Sequence, residues 1–303
     1  MARLLAIDSA GPVLGVALGD ESGSAALVHC EGNSEESPRH IETIATRVQM
    51  ILEQAGWTAT SLTAVVVSAG PGSFTGLRIG YAAAKGISLG AGIPVVAVNT
   101  LEAIACGVNS VGDDHHGSTA TILVPMTDAR KGRCYAALFR QDTEGPSERA
   151  TVRPLRLTPD LDVTVKDLAA HMGDFIAGSS SGGGSGSGSG VGAGAGSGDV
   201  RRDATSNGWP ARISWRVAAP PGYAAADELL SLLPPQISPP ASLLQIPRDA
   251  PVRGVLMAGA GKLRCGDTMD DYAGPEYLRT SDIGTPRTPP RFTGDPPVDL
   301  PRH

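Results

Sequence analysis

The stretch SAGPGSFTGLRIG, Ser68 to Gly80, constrains the fold of this chain more than any other part of the sequence. It follows the apolar, β-branched run Thr63 to Val67, which is typical of a buried parallel strand, and a helical pattern continues from it to about Leu89. Backbone N–H groups at the start of such a helix can hold an anion, but a Ser or Thr there can equally cap the helix. The candidate loop residues are Gly70, Gly72, Ser73, Thr75 and Gly76.

Neither familiar phosphate-binding motif fits this glycine loop. A P-loop needs a lysine and a hydroxyl residue directly after its last glycine, whereas Leu77 and Arg78 follow Gly76. The dinucleotide fingerprint G-x-G-x-x-G is one residue shorter than the spacing of Gly70, Gly72 and Gly76. The loop therefore predicts neither class of nucleotide-binding protein.

The helix after the loop has unusually small side chains. A glycine inside a helix costs about 1 kcal/mol relative to alanine, so several of them indicate that something approaches the helix closely. The approaching surface is either the sheet of this chain or another subunit. The small residues are Gly76, Gly80, Ala82, Ala83, Ala84, Gly86 and Gly90.

The order of predicted elements in the first hundred residues is βββαβαβα, which describes a sheet covered by helices. The second half repeats this start, since Asp128-ARKGRCYAA-Leu138 echoes Asp8-SAGPVLGVA-Leu18. Further along, Asp174 to Ala177 is predicted to end a strand, Ile213 to Val217 to form one, and Tyr223 to Leu233 to form a helix. The Gly/Ser insertion 178–198 is predicted to be flexible and the proline-rich tail 281–303 to be disordered. A further segment, 234–251, is proline-rich and interrupts the second half.

The composition limits the functional class. A net charge of −6 and a pI near 5.5 disfavour a free-standing nucleic-acid binder, which would show a basic surface. The four cysteines are far apart without a C-x-x-C motif, which disfavours a disulfide framework or a cysteine metal site. No signal peptide and no membrane-spanning run is predicted, so the expected compartment is the cytoplasm.

Four blocks of sequence resemble one protein family. The blocks LLAIDSA, GPGSFTGLRIG, DARKGRCYAALF and PEYLR are similar in order and spacing to the TsaB (YeaZ) family. The resemblance implies an α/β fold of the actin-like ATPase superfold, which sugar kinases and heat-shock chaperones share and which has two ribonuclease-H-like lobes. The first lobe is then expected at 1–108, and a reduced second lobe at 109–280.

The same resemblance implies a function in tRNA modification. Family members act as the non-catalytic partner of a catalytic paralogue, TsaD, in the complex that adds threonylcarbamoyl to the adenosine beside the tRNA anticodon. The resemblance implies ATP and magnesium for the complex, and a TsaE-type ATPase as a further partner. It implies that this chain contacts tRNA only indirectly. The free chain is a possible homodimer. The paralogue's H-x-x-x-H metal pair has no counterpart among the six histidines of this sequence.

Family positions imply two groups of site residues. The partner interface is expected on the helix after the glycine loop and on the preceding long helix, at His40, Ile44, Val48, Phe74, Leu77, Arg78 and Tyr81. A residual nucleotide site is expected at Asp8, Ser9 and Asp128, where the alternative for Asp8 is a turn-forming residue. The alternative function is an ATP-dependent phosphotransferase of the same superfold.

Overall fold

The computed structural model describes residues 2–32, 40–109, 120–141, 154–180, 213–233, 241–269 and 274–278. They form two sheets with helices against them. Within these ranges, no helix combines the length and the apolar character that crossing a membrane requires.

The first sheet has the strand order β3-β2-β1-β4-β5. Strand β1 pairs antiparallel with β2 and parallel with β4, and β4 pairs parallel with β5. The elements in chain order are β1 (Arg3–Asp8), β2 (Val13–Asp20), β3 (Ala25–Gly32), α1 (His40–Ala55), β4 (Ala64–Gly70), α2 (Phe74–Ala91), β5 (Val95–Asn99) and α3 (Thr100–Asn109).

Both faces of this sheet are buried, as the continuous apolar strands predict. Side chains alternate along β1, so that Leu5 and Ile7 pack with α1 and α2 on one face. Leu4 and Ala6 point to the opposite face and pack with a helix near the C-terminal end of the chain.

The second sheet repeats the order of the first. Its main path is β10-β7-β6-β11-β12, with β8 and β9 beside β6. As in the first lobe, the leading strand pairs antiparallel with the next one (β6 with β7) and parallel with a later one (β6 with β11). The echo between Asp8 and Asp128 is therefore confirmed as a repeated strand–turn–strand unit. The elements are β6 (Ala120–Arg130), β7 (Arg133–Ala136), β8 (Phe139–Gln141), β9 (Leu155–Arg156), β10 (Leu161–Thr164), α4 (Val165–Ser180), β11 (Ile213–Ala219), α5 (Ala224–Leu232), β12 (Ser242–Gln245) and α6 (Ala250–Arg264).

The last helix of each predicted lobe packs on the sheet of the other lobe. Helix α3 contributes Leu101 and Ile104 to a core with Phe139 of the second sheet. Helix α6 contributes Val255 and Leu256 to the core of the first sheet. The buried apolar faces of α3 and α6 thus pack between the two sheets, while the lobe boundary predicted between residues 108 and 109 stays a prediction.

Two glycines allow α3 and α6 to cross at close range. A Cβ atom at Gly254 would lie 1.7 Å from the carbonyl oxygen of Ala103, and a Cβ atom at Gly107 would lie 1.8 Å from the carbonyl oxygen of Ala250. Both obstructing atoms belong to the backbone, so no rotamer change can make room for a side chain. The backbones of the two helices are thus in direct contact.

One prediction about the second half is wrong. Asp174 to Ala177 lies inside α4 rather than at the end of a strand, because Val165, Leu168 and Met172 form one buried helical stripe. The proline-rich segment 234–251 contains β12 and the start of α6, where Pro251 occupies a first-turn position that tolerates proline.

Several predicted segments fall on residues that the structure does not describe. In the Gly/Ser insertion 178–198, α4 runs through Ser180 and residues 181–198 lie outside the described part. Residues 234–240 and the tail 281–303 also lie outside it. The predictions for these residues stay predictions.

Candidate functional site

The glycine loop joins the end of β4 to the start of α2, as predicted. Ser73 is the N-cap of α2: its Oγ accepts a hydrogen bond from the N–H of Gly76 at 3.2 Å. Thr75 lies in the first turn and is exposed. Of the two candidate capping residues, the structure selects Ser73, and the cap satisfies one of the helix N–H groups that an anion would otherwise bind.

Three glycines of this region bring α2 close to the turn after β1. A Cβ atom would lie 2.5 Å from the carbonyl oxygen of Ala10 if placed at Gly72, and 2.1 Å from that of Ser9 if placed at Gly76. At Gly80 it would lie 2.2 Å from the Oγ of Ser9. Ser9 Oγ also donates a hydrogen bond to the Gly76 carbonyl at 2.8 Å. These glycines, and Ser9 with them, therefore serve packing inside the chain.

Two other glycines of α2 show no such packing among the described residues. A Cβ atom at Gly86 or Gly90 would meet no atom of these residues within 4 Å, and both glycines are exposed. Leu89, between them, is 86% exposed. Together with Arg78 and Ala82, these residues follow one outward-facing side of the helix. We call this side, formed by Arg78, Ala82, Gly86, Leu89 and Gly90, the outer face of α2.

Most of the predicted interface residues do not lie on that face. Ile44, Val48 and Tyr81 belong to the core of the first lobe, and Leu77 is fully buried. Burial raises the pKa of the Tyr81 hydroxyl. The helix positions of these four side chains point toward the sheet, so they are buried within this chain, and the partner interface expected there stays a prediction. His40 begins α1, and its side chain lies outside the described residues.

Phe74 and Arg78 lie at the surface and form a cluster with a residue that sequence reasoning did not single out. The guanidinium carbon of Arg78 lies 3.9 Å from the centre of the Phe74 ring. The ring of Tyr277 lies 4.9 Å from that of Phe74, and Arg78 Nε donates to the Tyr277 hydroxyl at 3.3 Å. The only signal for Tyr277 in the sequence was the PEYLR block, whose Arg279 lies outside the described residues.

Asp8 and Asp128 occupy equivalent turns in the two lobes. Asp8 Oδ1 accepts a hydrogen bond from the N–H of Ala10 at 3.2 Å, and Asp128 Oδ1 accepts one from the N–H of Arg130 at 2.8 Å. Asp8 is buried, and desolvation raises its pKa, although its hydrogen bonds to Ala10 and Ser68 partly oppose this. Both carboxylates thus stabilise turns, an arrangement typical of Asp two residues before the donor.

The cavity between Ser9 and the glycine loop is small. The cavity lined by Ser9, Gly11, Ser73, Thr75 and Gly76 has a volume of about 70 Å³. Sites for small molecules usually measure roughly 300–1,000 Å³. Among the described residues, no three His, Cys, Asp or Glu side chains are grouped so that they could hold a metal ion.

A polar network links the two lobes at the end of β5. Asn99 Oδ1 accepts hydrogen bonds from the N–H groups of Leu101 and Glu102, at the start of α3. The same amide contacts Arg156 at 2.7 Å and Asp160 at 2.5 Å, and Arg156 pairs with Asp160 at 2.5 Å. No sequence motif indicated this network, since its members are brought together only by the tertiary fold.

Comparison with known proteins supports the family resemblance. The family model of TsaD, tRNA N6-adenosine threonylcarbamoyltransferase, matches residues 34–150. The tRNA threonylcarbamoyladenosine biosynthesis protein TsaB of Escherichia coli (strain K12) is 37% identical over 144 residues, 47% of this chain and 57% of that protein. TsaB of Bacillus subtilis (strain 168) is 32% identical over 137 residues, 45% of this chain and 55% of that protein. The chain thus spans about half the length of these curated relatives.

A solved structure has the same fold. YeaZ from Pseudomonas aeruginosa superimposes with a TM-score of 0.58 at 20% identity, covering 92% of this chain and 100% of that one. Together with the repeated sheet order, this likeness confirms the predicted two-lobed α/β fold class.

Proposed function

Because this chain belongs to the TsaB (YeaZ) family, we propose that it takes part in threonylcarbamoyladenosine biosynthesis on tRNA, as the non-catalytic partner of the TsaD paralogue. The chain supplies a docking surface to the paralogue in the cytoplasm, and the paralogue carries out the transfer. ATP, magnesium and a TsaE-type ATPase belong to the assembled complex, and tRNA is contacted indirectly. In the absence of the paralogue, the same surface pairs with a second copy of this chain.

The observation that supports this proposal is the outer face of α2. Gly86 and Gly90 each destabilise the helix by about 1 kcal/mol relative to alanine, and no residue in the described part of the chain uses the space that they leave. Leu89, 86% exposed, lies between them. A leucine flanked by two unused glycines provides what a close helix contact requires, a large side chain and room for a partner's side chains on either side. An intermolecular contact accounts for both features.

The extent of the TsaD family match also supports a related partner. Residues 34–150 include the whole of α1, α2 and the glycine loop. The paralogue therefore has counterparts of the elements that carry the outer face. In a two-fold symmetric dimer of identical chains the same surface of both subunits forms the interface, and the proposed heterodimer uses the corresponding surfaces of two related chains.

The phosphotransferase alternative requires this chain to bind ATP and magnesium by itself. The small cavity and the use of Asp8 and Ser9 in internal hydrogen bonds disfavour it. Calorimetric titration of the chain with ATP and magnesium separates the two functions. Tight binding that Asp8→Ala abolishes would support the phosphotransferase.

The scaffold proposal is tested by mixing the chain with the purified paralogue and measuring mass by size-exclusion chromatography with light scattering. The wild type should form a heterodimer. Gly86→Gln should prevent it without loss of stability, because glutamine favours the helix but fills the space beside Leu89. Leu77→Glu is unsuitable as a test, since Leu77 is fully buried and a charge there would unfold the lobe.

Ala170→Gln is the matched control, a small-to-glutamine change on the exposed side of α4 in the other lobe. It should leave the heterodimer intact. If wild type and paralogue elute separately, or if Gly86→Gln binds as tightly as wild type, the proposed surface is wrong.

A further inference from the structure

The segment Gly274–Leu278 lies across the glycine loop, although it is far from the loop in sequence. The N–H of Glu276 donates to the carbonyl of Ala69, the penultimate residue of β4, at 2.8 Å. On the way from α6, the N–H of Met269 donates to the carbonyl of Val95 at 2.8 Å. Met269 therefore contacts the first residue of β5, and Glu276 contacts the carboxyl end of β4. We call residues 274–278 the strap.

Gly70 is shaped to receive the strap. A Cβ atom at Gly70 would lie 2.4 Å from the carbonyl oxygen of Glu276, and the φ angle of Gly70 is +116°. Only glycine combines this backbone conformation with such a close approach. One glycine of the loop is thus explained by contact with the strap and not by a ligand.

The strap ends on the two predicted interface residues that remain at the surface. Tyr277 places its ring beside that of Phe74, and its hydroxyl accepts a hydrogen bond from Arg78. Arg78 in turn lies over Phe74. An exposed arginine normally samples many rotamers, and each of these contacts restricts that freedom before any partner arrives.

We propose that Tyr277 is a positioning residue, which fixes Phe74 and Arg78 in a single arrangement for contact with the partner. The backbone hydrogen bond of Glu276 holds Tyr277 in place. The proposal rests on the function proposed above and adds to it a second element, because the docking surface then consists of the outer face of α2 and the strap together. Phe74 and Arg78 make the contact, and Tyr277 acts through them. Tyr277 is itself 39% exposed, so its removal does not open the core.

The first test uses the free chain and needs no partner. Hydrogen exchange of residues 74–81 should be roughly tenfold faster in Tyr277→Ala, because an aromatic pair and a hydrogen bond that restrain the first turn of α2 are lost. Tyr277→Phe, which keeps the ring and loses only the hydroxyl, should lie much closer to the wild type. Leu232→Ala is the control, an apolar side chain of similar exposure (41%) in the second lobe. Unchanged exchange in Tyr277→Ala overturns the proposal.

The second test measures the dissociation constant for the purified paralogue by calorimetry. Tyr277→Ala should bind roughly tenfold more weakly, with Tyr277→Phe near wild type and Leu232→Ala unchanged. Equal affinities of wild type and Tyr277→Ala would show that the strap has no part in docking. If the wild type itself does not bind the paralogue, the proposed function fails. Faster exchange at residues 74–81 in Tyr277→Ala would then still support the positioning of Phe74 and Arg78.

Discussion

Replacing Gly254 by alanine should destabilise the fold strongly, although alanine is the better helix former. The added Cβ would lie 1.7 Å from the carbonyl oxygen of Ala103 and 2.8 Å from the backbone nitrogen of Gly107. To bring these atoms to an ordinary contact distance, α3 and α6 must move apart by roughly 1 Å or more. A gap of that size removes a quarter to a half of the dispersion attraction between the two helices.

The magnitude follows from two opposing effects. Over-packing in a core costs about 1–3 kcal/mol, and we expect the upper end here because both obstructing atoms are backbone. Alanine recovers about 1 kcal/mol through its helix propensity. The net loss in the free energy of unfolding is therefore about 2 kcal/mol, which lowers Tm by roughly 4–8 °C for a domain of this size.

Urea unfolding and calorimetry of Gly254→Ala and Gly107→Ala measure this loss, with Gly86→Ala as the control. The control makes the same substitution on a helix where the added Cβ meets nothing, so it should raise Tm by roughly 2–4 °C. All variants are compared at a concentration at which light scattering finds the same species. If Gly254→Ala is as stable as the wild type, the close crossing of α3 and α6 is wrong.

Three further predictions concern ionisable side chains. At pH 8, iodoacetamide should label the exposed Cys265 well before Cys30. Burial raises the pKa of Cys30 to about 11, so that this side chain is almost entirely the unreactive thiol. Equal labelling rates of the two cysteines, measured by mass spectrometry, would contradict this. Burial also raises the pKa of Asp8, so the ionised carboxylate destabilises the fold above its ordinary pKa of 3.8. Asp8→Asn should therefore increase the free energy of unfolding at pH 7 but not below pH 3.8, and a difference that does not change with pH would refute the reasoning. Arg156→Gln should lower the free energy of unfolding by about 2 kcal/mol, since it leaves the mostly buried Asp160 without its charged partner. A change in urea unfolding below about 0.5 kcal/mol would show that the network between the lobes contributes little.

The first lobe could be predicted from the sequence because its signals are local. Continuous apolar strands, the Ser73 cap and the turns at Asp8 and Asp128 each depend on residues a few positions apart. Helix α6 was missed for the opposite reason. Pro251 and several glycines weaken its helical signal, and Gly254 becomes favourable only once α3 lies against it.

In the candidate site, too, local features could be predicted from the sequence and long-range contacts could not. The loop residues were found from their spacing, but the sequence could not distinguish glycines that pack on Ser9 from those that face outward. Nor could it show that Leu77 and Tyr81 point inward while Phe74 meets Tyr277. These distinctions depend on contacts between segments that are distant in sequence, and single-sequence patterns do not encode such contacts.

The exchange of helices between the lobes determines when the protein can mature during synthesis. The apolar face of the first sheet around Leu4 and Ala6 is covered by α6, residues that leave the ribosome more than two hundred positions later. That face of the first sheet therefore stays uncovered until α6 has emerged. A nascent chain that stalls before Ala250 would expose this apolar face to chaperones and proteases. Neither lobe, taken without the helix from the other, has a fully covered sheet.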